Sequence, residues 1–196
     1  MKVYIALLHY PVYNKSGKIV TTCITGFDLH DISRTAATFG IKKYFVVNPN
    51  KGQRIFAERI IDHWKKEESQ VFNPTRVEAF NLLALKENLD GVEEEISQIE
   101  GQRPIKIATS AKVKGNISFR KLSEHISHGE NPYLILFGTG WGLAKEIIES
   151  ADYVLEPIAG AADYNHLSVR SAVAIILDRL LGREGCDKIT WQGLGD

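Results

Sequence analysis

The sequence is poor in cysteine, in net charge and in long apolar segments. Only two of its 196 residues are cysteines, Cys23 and Cys186. Two thiols so far apart in the chain supply neither a disulfide framework nor a structural zinc site, and they suit a reducing compartment. We therefore expect a cytoplasmic protein without a bound metal.

Neither sign of charge is in excess, since Lys plus Arg and Asp plus Glu each total 24. A balanced chain has no bulk attraction to nucleic acid or to a membrane surface, so an RNA-binding site has to be a local basic patch. The clearest local cluster consists of Lys112, Lys114, Arg120 and Lys121. This cluster either binds RNA phosphates or is a solvated basic loop.

No segment reaches the roughly 18 uninterrupted apolar residues that a membrane-spanning helix needs. The best candidate, 167–181, is interrupted by three charged residues, and the apolar run at the N-terminus ends at His9. That run is too short for a signal peptide. We expect no membrane partner and, from the length and ordinary composition, a single domain over residues 1–196.

Short runs of β-branched and aromatic residues alternate with amphipathic stretches. The runs predict strands buried on both faces, at Val3–Leu8, Tyr44–Val47, Ile105–Ala108, Tyr133–Phe137 and Tyr153–Leu155. The stretches predict helices at Asp28–Phe39, Arg54–Lys66, Thr75–Asn88, Val92–Ile99, Ser118–Ile126, Leu143–Ser150 and Ser168–Leu181. Asp28 and Ser118 are expected to cap helix N-termini, and Gly40 and Gly182 to end helices in the left-handed conformation. This alternation is typical of an α/β fold with a mostly parallel sheet and helices on both faces.

Two loops that follow neighbouring predicted strands have the composition of ligand-binding loops. The strand Tyr133–Phe137 runs into the turn 138–142, in which every second residue is glycine, and such turns let the backbone approach a ligand closely. Leu143 stands where a dinucleotide-binding G-x-G-x-x-G needs its third glycine, and no phosphate-binding G-x-x-x-x-G-K-[ST] is present. The second loop, 156–166, contains several small residues and is either a ligand loop or a plain crossover.

Three segments resemble, in family order, the motifs of the SPOUT (α/β-knot) RNA methyltransferases. Residues 28–40 resemble the first motif of the ribose 2′-O branch, a helix that carries Arg-Thr-Ala and ends in glycine. Residues 137–143 resemble the second motif. Residues 157–169, PIAGAADYNHLSV, resemble the third, in which a proline-containing loop and a glycine lead to an asparagine and a Val-Ser-Val-like helix start. Thr109 falls where a threonine ends the family's third strand.

The resemblance departs from the family pattern at three places. His166 and Asp28 stand at positions where asparagine is usual. The second motif is one residue shorter than usual and lacks a glutamate. These departures leave open which acceptor atom is used, a ribose 2′-oxygen or a base atom, and whether catalysis is retained.

The resemblance implies a C-terminal deep trefoil knot, an RNA substrate and a homodimer. It also implies S-adenosylmethionine as cofactor, held bent in the knot largely by backbone groups. The cofactor-binding residues implied by the matched motifs are Thr109, Phe137, Gly138, Thr139, Gly140, Gly142, Leu143, Glu156, Pro157, Ile158, Gly160, Leu167, Ser168, Val169 and Ala172. Methyl transfer from a sulfonium requires alignment and proton removal, so no metal is implied.

Arg34 and His166 are the candidate catalytic residues. Arg34 belongs to the first motif, and a guanidinium can bind the target phosphate or help an acceptor hydroxyl lose its proton; otherwise it is an exposed helix arginine. His166 can act as a base near neutral pH, and its alternative is a cap or a packed polar residue. Asn165 and Ser168 are interpreted as a turn residue and a helix cap.

The function favoured by the sequence is S-adenosylmethionine-dependent methylation of tRNA or rRNA. The first alternative is a non-catalytic knotted RNA-binding module, suggested by the replaced asparagines and the missing glutamate. The second is a nucleotide-binding enzyme of another doubly wound α/β fold, although the phosphate-binding motifs of such enzymes are lacking.

Overall fold

The structure, a computed structural model, describes residues 1–66, 71–162 and 164–182. Cys186 lies outside these described residues, as does the last part of the predicted domain. The element boundaries below therefore concern the three described ranges.

A six-stranded parallel sheet forms the centre of the molecule. Its strands are β1 (Val3–Leu8), β4 (Lys43–Val47), β5 (Leu83–Lys86), β6 (Ile105–Ala108), β7 (Tyr133–Gly138) and β8 (Tyr153–Val154). The spatial order is β5-β4-β1-β7-β6-β8, and every neighbouring pair is parallel. A separate antiparallel hairpin of β2 (Val12–Tyr13) and β3 (Ile19–Val20) follows β1. The predicted parallel sheet is confirmed.

Helices cover both faces of the sheet, as predicted. They are α1 (Gly26–Thr38), α2 (Lys51–Lys65), α3 (Pro74–Asn81), α4 (Leu89–Glu100), α5 (Phe119–His128), α6 (Lys145–Glu149) and α7 (Val169–Leu181). One face packs against α1, α2, α3, α5 and α7, and the other packs against α4 and α6. In the part of the chain that the structure describes, no helix has the length and apolar character to cross a membrane.

The predicted helix Thr75–Asn88 is wrong in its second half. The helix α3 ends at Asn81, and the chain continues as β5, which pairs with β4 from Leu83 onwards. The backbone N–H of Tyr44 donates to the Leu82 carbonyl at 2.8 Å, so pairing begins immediately after the helix. Leu, Ala and Lys are good helix formers, and the pairing with β4 overrides this local preference.

The helix caps agree with the sequence in part. Ser118 and Ser168 cap α5 and α7 as predicted. The cap of α1 is Thr25, however, and Asp28 lies in its first turn, where its carboxylate accepts a hydrogen bond from the Thr25 hydroxyl at 2.6 Å. The Asp28 N–H donates to the same Thr25 hydroxyl at 3.2 Å, so the two residues are linked by a reciprocal pair of hydrogen bonds at the start of α1. The left-handed conformation expected at Gly182 is absent, because its φ is −62°.

The strand order brings two segments side by side near β8. β6 precedes β7 in the chain but lies outside it in the sheet, and β8 lies outside β6. The loop 109–118 runs alongside the chain that leaves β8. The Asn116 N–H donates to the Val154 carbonyl at 2.8 Å, and the Glu156 N–H donates to the Ile117 carbonyl at 2.9 Å. This pairing brings together the loops that follow β6 and β8.

Candidate functional site

A cavity of about 680 Å³ opens at the carboxyl ends of β6, β7 and β8. Its walls are the loops that follow these three strands, the segment between β3 and α1, and the beginning of α7. A volume of this size is typical of small-molecule sites, which span roughly 300–1,000 Å³. The cavity therefore has room for a ligand the size of a nucleoside cofactor.

Most of the predicted cofactor residues surround this cavity. The lining includes Thr109, Phe137, Gly138, Thr139, Gly140, Gly142, Glu156, Pro157, Ile158, Leu167, Ser168, Val169 and Ala172. Leu143 is only 3% exposed and packs in the core beside Gly138, and Gly160 is exposed away from the lining. His166 lines the cavity, whereas Arg34 is exposed on α1 outside it. The structure thus separates the two candidate catalytic residues.

The glycines of the loop after β7 are required by the fold of the loop itself. Gly140 has φ +58°, and a Cβ there would lie 2.8 Å from the Tyr13 carbonyl oxygen. Gly142 has φ +107°, and a Cβ on Gly138 would lie 2.7 Å from the Leu143 nitrogen. Their backbone conformation and packing explain these glycines without a ligand, so a side chain at Gly140 would distort the loop as well as narrow the cavity.

The hairpin β2–β3 holds the same loop in place. The Trp141 N–H donates to the Tyr13 carbonyl at 2.8 Å, and the Tyr13 N–H donates to the Gly142 carbonyl at 2.9 Å. The Lys145 N–H donates to the Tyr13 hydroxyl at 3.1 Å. These bonds fix the position of Trp141 relative to the cavity.

The loop after β8 is anchored through Glu156. Its Oε1 accepts a hydrogen bond from the Phe119 N–H at 2.7 Å, in the first turn of α5. A carboxylate is favourable there because unpaired N–H groups at a helix N-terminus carry partial positive charge. Pro157 and Ile158 follow and present partly buried apolar surface to the cavity.

The start of α7 closes the opposite wall. The Ser168 hydroxyl accepts from the Ser171 N–H at 3.2 Å, and the Asn165 amide reaches the Ala111 carbonyl at 3.4 Å. The rings of Tyr164 and His166 meet edge to face, with centroids 5.5 Å apart. His166 is thus exposed at the cavity and not packed in the core.

Sequence reasoning missed the wall that follows the hairpin, which contains Thr22, Cys23 and Thr25. A turn signal was nevertheless present. Asn14 and Gly17 lie between the β-branched residues of β2 and β3, and the Asn14 side chain accepts from the N–H groups of Ser16 and Lys18, each at 3.0 Å. A short connection that contains glycine between two apolar runs indicates a hairpin.

Thr22 connects the cavity to a buried histidine. Its hydroxyl hydrogen-bonds with the Thr139 hydroxyl and with Nδ1 of His9, which lies 2.9 Å away. His9 is completely buried, and its burial lowers the pKa to about 4, although the Asp28 carboxylate opposes the shift. His9 is therefore neutral at physiological pH.

Asp28 is a nearly buried carboxylate on the cavity wall. It is 7% exposed, and its Oδ1 lies 3.8 Å from Nη1 of Arg170. Nε of Arg170 lies 3.4 Å from Asp31. The cavity wall therefore includes a carboxylate that faces the Arg170 guanidinium and accepts from the Thr25 hydroxyl.

Similarity to known proteins points to one family. A family model described as SAM-dependent RNA methyltransferase matches residues 2–182. A protein from Aquifex aeolicus, whose description gives no activity, is 47% identical over 186 residues, which are 94% of this chain and 91% of that protein. A tRNA (guanine-N(1)-)-methyltransferase from Oleidesulfovibrio alaskensis is 43% identical over 183 residues. That match covers 92% of this chain but 42% of the relative.

The fold also matches solved structures. The SpoU methyltransferase AviRb from Streptomyces viridochromogenes, in complex with AdoMet, superposes with a TM-score of 0.53 at 16% identity. The superposition covers 91% of this chain and 56% of that one. At this identity the likeness is one of fold, and it agrees with the parallel sheet and the layered helices described above.

Proposed function

The chain belongs to the family of SAM-dependent RNA methyltransferases, and on this premise we propose that it methylates a nucleotide of tRNA or rRNA at the cavity described above. One observation carries the location of the site. Residues 137–142, 157–158 and 165–169, which belong to the segments that resemble the second and third motifs of the family, line the same cavity together with Thr109. Residues so far apart in the sequence need not meet, and their convergence supports a shared ligand.

The residues of the cavity fit S-adenosylmethionine. Phe137, Ile158 and Ala172 supply apolar surface, Thr139 supplies a hydroxyl, and Asp28 supplies a carboxylate that suits a cation. When bound, the cofactor supplies an electrophilic methyl group on a sulfonium. The residues of the chain then have to hold the acceptor in line and receive its proton, and Asp28 and His166 are the titratable side chains placed to do so.

The finer fold proposal is a deep trefoil knot in which the chain leading to α7 passes under the loop 109–118. The hydrogen bonds of Asn116 to Val154 and of Glu156 to Ile117 support this path. A Cβ on Gly115 would lie 2.3 Å from the Glu156 nitrogen, so the two segments touch backbone to backbone. The proposal further treats 1–196 as one SPOUT-like domain, supported by the family match over 2–182.

The relatives do not decide which atom this chain would methylate. More than half of the Oleidesulfovibrio protein lies outside its match to this chain. The guanine-N(1) activity in its name can therefore belong to that unmatched part. A ribose 2′-oxygen and a base atom both remain within the proposal.

Methyl transfer to RNA tests the proposal. The full chain is incubated with methyl-labelled S-adenosylmethionine and with total RNA from cells that lack the protein, and the labelled nucleotides are mapped. We expect label in tRNA or rRNA at sites that are unmodified in those cells. RNA binding without transfer would instead favour the non-catalytic RNA-binding module.

Arg34 is proposed to act on RNA from outside the cavity of its own chain, within a homodimer. The exposed position of Arg34 supports this assignment. The chain has no net positive charge, so two chains that bind one RNA would together present twice as many basic side chains to its phosphates. We expect Arg34→Ala to lower the single-turnover methylation rate by roughly 10²–10⁴-fold while cofactor affinity persists. Arg34→Lys should restore only part of the rate, because it loses the planar donor pair.

Arg59, which is exposed on α2 and does not line the cavity, provides the matched control. Arg59→Ala should retain the rate of the unmodified chain. Full activity of Arg34→Ala would remove it from the catalytic residues and leave His166 as the candidate. Sedimentation of the 21.9 kDa chain as a monomer at assay concentration would contradict the dimer.

A further inference from the structure

A large aromatic side chain is exposed at the cavity. Trp141 lines the cavity and is 45% exposed, on the loop that the Tyr13 backbone holds through two hydrogen bonds. The positive φ of Gly140 and Gly142 on either side gives the loop its sharp shape. The hydrogen bonds to Tyr13 therefore hold the backbone of Trp141 in place while its side chain faces solvent.

A lysine is paired with this indole. Nζ of Lys112 lies over the ring, 5.0 Å from its centroid, and donates to the Trp141 carbonyl at 3.2 Å. Lys112 belongs to the loop after β6 and also lines the cavity. Among the described residues it has no ion-pair partner, so its charge remains available to a phosphate.

We propose that Trp141 and Lys112 form a stacking site for the base of an unpaired RNA nucleotide. The base lies against the indole, and Lys112 faces the phosphate of the same or the adjacent nucleotide. This inference rests on the proposed function and specifies its substrate as a nucleotide outside a double helix.

The geometry of a cavity site favours an unpaired nucleotide. The acceptor has to come within about 3–3.5 Å of the reacting carbon, and a nucleotide paired within a duplex does not enter a concave site unless it leaves the stack. Leaving the stack costs the interactions with neighbouring bases. An exposed indole beside the cavity replaces them, since every base has a face that stacks on an aromatic ring.

A second cation–aromatic pair near the cavity is less suited to this role. Phe27 is 71% exposed, and the Arg170 guanidinium lies 5.3 Å from its ring centroid. Asp28 and Asp31 hold that guanidinium, so the surroundings repel phosphate. Charge complementarity therefore places the nucleotide at Trp141.

Tryptophan fluorescence tests the stacking directly. The chain has three tryptophans, so the fluorescence of Trp141 is obtained by subtracting the emission of the Trp141→Phe variant from that of the unmodified chain. The probes are oligouridylate, which is unpaired, and the same strand annealed to oligoadenylate. We expect oligouridylate to quench the Trp141 component and the duplex to quench it far less. Equal quenching by both probes, or none by oligouridylate, would overturn the inference.

Binding and methylation provide the second measurement. Trp141→Ala should weaken oligouridylate binding by roughly fivefold or more and lower kcat/KM for RNA, whereas Trp141→Phe should preserve most of both. Phe56→Ala is the matched control, because Phe56 is equally exposed at 45% but lies on α2, away from the cavity. Unchanged binding in Trp141→Ala would overturn the inference.

The two proposals fail in different ways. If Trp141 is quenched by oligouridylate but the full chain methylates no RNA, the stacking site stands and the proposed catalysis falls. If Trp141→Ala methylates RNA at the rate of the full chain, the catalysis stands and the stacking site falls.

Discussion

The two halves of the sheet end differently at their carboxyl edge. Beyond β4, side chains fill the space: the Asn48 side chain donates to the Thr22 carbonyl and accepts from the Asn50 N–H, and Arg54 donates to two nearby carbonyls. Beyond β6, β7 and β8, separate loops contact one another through backbone groups, as where the Asn116 N–H donates to the Val154 carbonyl. A cavity lies between these loops.

Strand order explains the difference. The strands β1, β4 and β5 follow one another in space as they do in the chain. Each loop therefore only connects its strand to the helix that follows it. The exchange of β6 and β7 brings the loop 109–118 alongside the chain that leaves β8. In open α/β sheets, ligands bind at the carboxyl ends of strands where the direction of the chain path changes. We call β1, β4 and β5 with their loops the closed half, and β6, β7 and β8 with their loops the open half. The free energy of unfolding should depend mainly on the closed half, and ligand affinity on the open half.

The largest expected effect in the closed half follows from removing Phe80. This ring is fully buried, with centroids 4.8 Å from His30 and 6.0 Å from Trp64. We expect Phe80→Ala to lower the free energy of unfolding by about 3–5 kcal/mol and to leave cofactor affinity unchanged. Urea unfolding and calorimetry measure the two quantities. A parallel loss of affinity in the folded variant would show that the halves are not separate.

The open half should respond in the opposite way to Ala172→Leu. Ala172 lies on the cavity side of α7, so a larger apolar group there occupies ligand space at little cost to the core. We expect the affinity for S-adenosylmethionine to fall by more than roughly tenfold, about 1.4 kcal/mol. Ala172→Ser, which keeps the size, should bind as the unmodified chain does. An unaltered affinity in Ala172→Leu would place the site elsewhere.

A pH-dependent effect is expected at the border between the halves, where His9 contacts Thr22. The unfolded chain binds a proton at His9 below the usual pKa of about 6.5, whereas burial holds the folded pKa at about 4. The stability contributed by neutral His9 is therefore complete above pH of about 6.5 and is lost as the pH falls towards about 4. Unfolding free energies across this range should decline more steeply in the unmodified chain than in His9→Gln. Identical slopes would contradict the burial argument.

Much of the sheet could be predicted because strands buried on both faces are continuous apolar runs. The strands β1, β4 and β7 have this pattern, whereas β6 is interrupted by Lys106 and β8 consists of two partly exposed residues. β5 lacks it: only Leu83 is fully buried, and the three residues that follow are partly exposed. Its leucines, alanine and lysine suit a helix equally well, so its state is decided by a partner strand far away in the chain.

The candidate site could be predicted only where the sequence resembles family motifs. These segments located the loops after β7 and β8, but periodicity did not predict that the loop 109–118 pairs with the chain after β8. The hairpin wall with Thr22 lies outside the motifs and was missed. Leu143 and Gly160 lie within motif-like segments and yet do not line the cavity, because one packs inward and the other lies out on the exposed loop. Side-chain direction depends on tertiary packing, which a motif does not encode.

We expect the loops after β6, β7 and β8 to form an S-adenosylmethionine site. Titration calorimetry of the full chain tests it, with S-adenosylmethionine, ATP and NAD as separate ligands. We predict micromolar-range affinity for S-adenosylmethionine without added metal and no comparable binding of ATP or NAD. Binding of ATP or NAD without affinity for S-adenosylmethionine would contradict the account and favour a nucleotide-binding enzyme of another doubly wound fold.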